Sequence, residues 1–176
     1  TSDGDAALDG VYKLVAVMDE GEWIPAIKVS ETPEKVPNPG HKHVWRVYDE
    51  RGKATADLLS LDDEDPGEMD EVMLHHPTEH TRYRLLPAEE ISEVEPLLVD
   101  VLDEGEVVCD LPSIEEMRDR RKADLARLDP GVRRIMNPHI YHVSLTKRLW
   151  EQKQDLIRAA REENGVFKKE ADNQAD

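Results

Sequence analysis

From Val11 to Pro112 apolar and polar positions alternate in short runs, broken by Gly, Pro and acidic clusters. From Ser113 onward the apolar positions recur at spacings of three and four. A period of two places side chains on opposite faces of a strand, and a period near 3.6 gathers them on one helical face. The chain therefore reads as strands first and helices last, an α+β layout with mostly antiparallel pairing.

Residues 11–17 (VYKLVAV) and 23–30 (WIPAIKVS) are strand-like and flank MDEGE, whose Gly21 suits a hairpin turn. Pro25 belongs near a strand start or on an edge. Pro33, Pro37 and Pro39 then fix φ and push the preceding residues toward extended geometry, giving a stiff connector that ends at Gly40. In residues 44–61 the alternation Val44, Arg46, Tyr48 against Trp45, Val47 predicts a strand, residues 49–53 a turn, and residues 54–61 the returning strand. Residues 62–71 read as a solvated acidic loop, VMLHHP and TRYRLLP as a further strand pair around TEH, and residues 96–112 as two strands about Gly105.

In residues 113–128, Ile114, Met117, Arg121, Leu125 and Leu128 fall near one helical face. Ser113 and Glu116 form a capping box at its start, and Asp129-Pro130-Gly131 ends it. NPHIYHVSL (137–145) reads as an extended linker with a turn at Asn137-Pro138. A second helix is predicted over 146–161, with Leu149, Trp150, Lys153, Leu156 and Ile157 at helical spacing. The organisation expected is a β-rich segment over 11–112, a helical segment over 113–161, and a polar, disordered tail over 162–176.

Composition alters this picture in one respect. Apolar residues make up 38% of the 176 positions and charged ones 36%, and the mean hydropathy is -0.69. Charged residues usually supply about a quarter of a globular chain, so the core is thin and some faces are expected to pack on something else. The net charge of -17 repels phosphate backbones and anionic membranes, which disfavours nucleic-acid and membrane partners. The single Cys109 excludes an internal disulfide and a Cys-based zinc site, and fits a reducing, cytoplasmic setting. No apolar run approaches the roughly 18 residues of a membrane helix. The opening TSDGDAALDG lacks a signal peptide's basic and apolar regions and an initiating Met, so a piece of a longer protein is expected.

Candidate chemistry is sparse. There is no Gly-rich phosphate loop, no G-x-S-x-G elbow and no H-E-x-x-H. His41 and His43, or His75, His76 and His80 with Glu79, offer imidazoles to a metal, although their polar contexts favour solvated or structural roles. His139 and His142, flanking Tyr141, read as packing or capping residues. Residues 62–71 lack the ligand spacing of a calcium loop. Lys28, Lys35 and Arg46 are cations able to face an anionic ligand, with surface pairing to the plentiful carboxylates as the preferred reading. Cys109, in an apolar strand, reads as a small buried hydrophobe.

GVYKLVAV followed by residues 27–58 (IKVSETPEKVPNPGHKHVWRVYDERGKATADL) resembles the C-terminal part of the nicotinate phosphoribosyltransferase family. Lys28, Ser30, Glu31, Pro33, Glu34, Lys35, Pro39, Gly40, Arg46, Tyr48 and Asp49 match that family's pattern, and the resemblance runs in order from about residue 1 to 157. Thr32, Pro37 and Asp9 depart from it without removing a catalytic group. The resemblance implies an enzyme that joins nicotinate to 5-phosphoribosyl 1-diphosphate with ATP hydrolysis, on an α/β barrel with a phosphorylated histidine and magnesium on the diphosphate. It implies that this chain is the accessory part of such a barrel in a cytoplasmic homodimer. Residues 1–10, with Thr1 and Ser2, would be the trailing end of a phosphate loop. No residue matches the catalytic histidine, so no catalytic or metal residue is expected here, nor ATP or magnesium bound by this chain alone. The competing expectations are a free-standing acidic binding or regulatory module and a His-rich metal-binding domain.

Overall fold

The computed structural model describes residues 11–163. Thr1, Ser2 and the rest of residues 1–10, together with residues 164–176 of the expected tail, lie outside the described residues. Ten strands and two α-helices are present among the described residues. The α+β arrangement is as expected, on a sheet that mixes parallel and antiparallel pairs.

The first hairpin is β1 (Ala16–Asp19) and β2 (Glu22–Pro25). Both turn residues carry positive φ, Glu20 at 47° and Gly21 at 88°. This is the type I′ geometry that matches the twist of a two-residue hairpin. The strands are shorter than the expected 11–17 and 23–30. Val11, Tyr12 and Leu14 are exposed and face no strand among the described residues, so apolar alternation there does not become sheet.

The main sheet has the order β6-β5-β10-β4-β3-β7. Its centre is the hairpin β3 (Lys42–Asp49) and β4 (Ala54–Leu61). The turn is held by Asp49, whose Oδ1 accepts from the backbone N of Arg51 at 3.0 Å and of Lys53 at 2.9 Å. The second hairpin is β5 (Glu71–His75) and β6 (Tyr83–Pro87). Two sheet strands were not expected. β7 (Ile91–Pro96) lies along the outer edge of β3. β10 (His142–Leu145), read above as linker, runs parallel to β4 and meets β5 antiparallel. Between them, β8 (Leu102–Asp103) and β9 (Glu106–Val107) form a minimal ribbon outside the sheet.

Alternation sorts the sheet into two unlike faces. Val47, Ala56, Leu58, Val72, Leu74 and Leu86 form the buried apolar cluster, with Trp45, Met69 and Ile91 packed against it. On β3 and β4 the positions between these carry Arg46 and Asp57, directly opposite each other in register.

Helix α1 (Ile114–Arg127) begins at the expected capping box, with Ser113 N donating to Glu116 Oε2 at 2.7 Å. No residue of α1 is buried, so the expected apolar face meets no core. Helix α2 (Lys147–Glu163) packs on β4 and β5, with Leu149 fully buried. No described helix is long and apolar enough to cross a membrane. The loop over 62–71 is less solvated than expected: Glu64 is buried, and its Oε2 accepts from Leu61 N at 2.9 Å and from Thr146 Oγ1 at 2.7 Å. Its carboxylate thus fastens β4 to the start of α2.

His75 ends β5 beneath α2, only 8% exposed, with Nδ1 and Nε2 both lacking hydrogen-bond partners among the described residues. Its ring stacks on Trp150 at 4.8 Å and lies 5.7 Å from Tyr83. Burial depresses its pKa below the ordinary 6.5, against an opposing pull from Glu151 and with a small contribution from Lys147 in the same direction. The unfolded chain therefore takes up this proton first, and stability is lost as pH falls through the ordinary value toward the lower folded one. Replacing His75 by Phe keeps the stacking and removes both orphan nitrogens. Urea unfolding at about pH 7.5 and about pH 5 should show His75→Phe losing less stability than the natural chain on acidification; equal losses would show that His75 carries none of the pH dependence.

Candidate functional site

The polar face of the sheet supplies the most developed side-chain constellation. Arg46 Nε donates to Asp57 Oδ1 at 2.8 Å and Nη2 to Oδ2 at 3.0 Å, a bidentate pair across β3 and β4. Tyr141, just before β10, donates its hydroxyl to the same Asp57 Oδ1 at 2.8 Å. Next along β3, the Tyr48 hydroxyl donates to Glu95 Oε2 of β7 at 2.5 Å. The Arg127 guanidinium lies 3.3 Å over the Tyr48 ring and donates to Glu93 at 2.5 Å. Arg46 with Asp57 and Arg127 with Glu93 are thus joined in local pairs between neighbouring elements.

These contacts anchor only the C-terminal end of α1. Lys53 Nζ donates to the Ala126 carbonyl at 2.8 Å, near the helix's negative pole, and Leu128 makes a single bridge to Ala54. Toward its N-terminus the helix stands off and bounds a cleft of about 800 Å³. Arg46, Asp57 and Tyr141 line the sheet side, and Met117, Arg120 and Arg121 line the helix side.

The electrostatics decide what this cleft can do. The hydrogen bond to Asp57 leads in holding Arg46 above its ordinary range. Burial and then Asp57 push the Tyr141 phenol far above its usual value. Burial, reinforced by Glu95, pushes Tyr48 up to about 12. None of the three is poised to exchange a proton near neutrality. Arg46 spends its fork on Asp57, so the anionic-ligand reading of Arg46 gives way to the internal pair. On the sheet side of the cleft Arg46, Asp57 and Tyr141 are engaged with one another, and the helix side adds the carboxylates Glu116 and Asp124.

The other candidates are scattered. His41 Nδ1 and His43 Nε2 each lie 2.9 Å from one oxygen of Asp62, and His41 stacks on Trp23 at 4.6 Å. His76 Nδ1 accepts from Glu79 N at 3.1 Å, closing its own loop. His80 meets Trp150 edge-on at 6.1 Å. His139 Nε2 lies 2.6 Å from Arg134, and burial with Arg82 lowers the pKa of His142. Among the described residues no three His, Cys, Asp or Glu side chains converge into a set able to hold a metal. Lys28 and Lys35 are exposed, and Cys109 is a half-buried free thiol.

Three participants escaped the sequence reading: Asp57, Tyr141 as its partner, and Glu64. Asp57 is recoverable by counting hairpin register from the Asp49 turn. Tyr141 lies 84 residues from Asp57, and no local pattern links them.

Comparison with known proteins places these features in a family. Residues 41–153 match the model of the nicotinate phosphoribosyltransferase C-terminal domain. The chain is 37% identical over 144 residues to human nicotinate phosphoribosyltransferase, covering 81% of this chain and 25% of that protein. It is 28% identical over 152 residues to the enzyme of that name from Bacillus subtilis, covering 86% of this chain and 30% of that one. The crystal structure of human nicotinic acid phosphoribosyltransferase superposes with a TM-score of 0.59 at 29% identity, over 68% of this chain and 23% of that chain. The chain spans about a quarter of the length of these relatives.

Substituting Asp57 by Asn leaves the Arg46 guanidinium without its counter-charge. The two side chains are 20% and 16% exposed, so the expected loss is about 2–4 kcal/mol rather than the full cost of a dry pair. Tyr141→Phe should cost about 1 kcal/mol. Urea midpoints test both, and an Asp57→Asn loss under about 0.5 kcal/mol would show the pair to be solvent-screened.

Proposed function

The chain belongs to the nicotinate phosphoribosyltransferase C-terminal domain family, and from that premise we propose that it is the C-terminal, accessory part of such an enzyme. The complete enzyme forms a bond from the nicotinate ring nitrogen to C1 of 5-phosphoribosyl 1-diphosphate. The bond from C1 to the diphosphate oxygen breaks, and the diphosphate leaves with that electron pair. The product is nicotinate mononucleotide, on the way to NAD, in a cytoplasmic homodimer.

In this reading the chain supplies support rather than chemistry. The observation that carries it is a set of large apolar side chains left exposed among the described residues. Tyr12 on the first segment, Val99 and Leu111 around β8 and β9, and Ile135 and Ile140 before β10 are exposed in a chain otherwise dominated by charge. Exposed apolar surface of this extent marks where another body packs, and the rest of the enzyme is that body.

ATP and magnesium belong to the complete enzyme in this proposal. The described residues do not fit a resident metal, because no set of three ligating side chains converges among them. The part these residues take is to tie the interior strands β3, β4 and β10 together through Arg46–Asp57–Tyr141, and the start of α2 to the end of β4 through Glu64–Thr146.

The test is nicotinate mononucleotide formation from nicotinate, 5-phosphoribosyl 1-diphosphate, ATP and magnesium. This chain alone should be silent, and a longer chain carrying the barrel upstream should be active. Turnover by this chain alone would contradict the assignment of a supporting role, and silence in both would remove the enzymatic reading.

A further inference from the structure

Lys153 is the least expected residue of the interior. It is 3% exposed, yet its ammonium meets only neutral oxygens, Asn38 Oδ1 at 2.8 Å and the Pro77 carbonyl at 3.1 Å. No carboxylate lies at ion-pair distance from it among the described residues, in a chain where Asp plus Glu outnumber Lys plus Arg by 40 to 23. An ammonium has three donors, and these two oxygens engage two of them. A buried cation without a counter-charge is costly to keep.

That residue borders a cavity. A space of about 290 Å³ lies between α2, the proline connector and the loop joining β5 to β6. Lys153, Arg158 and Arg161 line it from the helix, Ser30 from the connector, and Thr78 and His80 from the loop. Glu31 is the one carboxylate on its wall. Arg158 also bonds Asp155 one turn back on its own helix, and Arg161 has no ion pair among the described residues. Three cations against one carboxylate make this wall locally positive on a strongly acidic molecule. Ser30 and Thr78 add hydroxyls from other directions, the first accepting from Thr32 N at 3.2 Å and the second 3.4 Å from His76 Nδ1.

We propose that this cavity is an anion site for a phosphate group, either free or carried by a small phosphorylated molecule. A tetrahedral oxyanion accepts from many directions at once and matches guanidinium forks bidentately. A planar carboxylate uses fewer of the donors arranged here. The site does not depend on the family reading, because every donor comes from this chain. It lies beneath α2 and shares no lining residue with the cleft beside α1.

Titration calorimetry on the whole 176-residue chain tests this, with inorganic phosphate, pyrophosphate and malonate as separate probes. A salt concentration of about 0.15 M shortens the reach of the chain's overall negative field to about 8 Å. Phosphate or pyrophosphate should bind one per chain, and malonate far more weakly. Tighter binding of pyrophosphate identifies a diphosphate-bearing ligand, and equal binding a single phosphate group. The exposed double substitution Arg158→Gln with Arg161→Gln keeps good helix formers and should weaken binding about tenfold or more. Lys153→Met should abolish it; since that variant risks the fold, the arginine pair decides. Absence of binding, binding untouched by the arginine substitutions, or malonate binding as tightly as phosphate would each overturn the proposal.

Discussion

The insertion of β10 is the constraint on which the rest of the structure depends. Four residues, His142–Leu145, pair parallel with β4 on one side and meet β5 on the other. Without them the sheet would split into the three strands β4–β3–β7 and the lone hairpin β5–β6, and an isolated two-stranded hairpin is marginal in water. With them, one six-stranded sheet buries Leu58, Val72, Leu74 and Leu86 in a single cluster. The same insertion sets Tyr141 against Asp57 and Thr146 against Glu64, so the polar ties on both flanks follow from the strand's placement. Helix α2 starts directly from it and covers the far hairpin through Leu149 and Trp150.

What was legible in the sequence was local. The hairpin over 42–61 announced itself by alternation and by an Asp and Gly turn, and α1 by its capping box, because both signals lie within a few residues. The strand β10 carries no such signal. It is short, it follows a Pro, and its partners lie some 70 to 90 residues away in sequence. No element was expected over edge strand β7, whose Ser92, Glu93 and Glu95 are polar; Arg127 and the Tyr48 hydroxyl engage its two carboxylates. In the opposite direction, residues 11–15 look like strand but lie outside the sheets of the described residues, with Val11, Tyr12 and Leu14 exposed.

The candidate site followed the same division. Arg46 was visible as a cation in an acidic chain, and its true partner required only the hairpin register. The histidines were visible as clusters, but neighbouring positions in sequence do not make their rings converge: His41 and His43 share Asp62, while His75 turns into the core and His76 closes a loop. Lys153 was legible as part of the inner face of α2. Its lack of a counter-charge was not, because that depends on the proline connector and the β5–β6 loop meeting over it.

The proposed function makes this chain a support whose exposed apolar side chains are covered by the rest of a larger enzyme. Hydrogen exchange on this chain alone and on a longer chain containing the barrel tests that claim most directly. The account predicts added protection in the longer chain around residues 11–15, 98–117 and 135–140, with β3, β4 and β10 equally protected in both. Unchanged exchange across those three segments would contradict it.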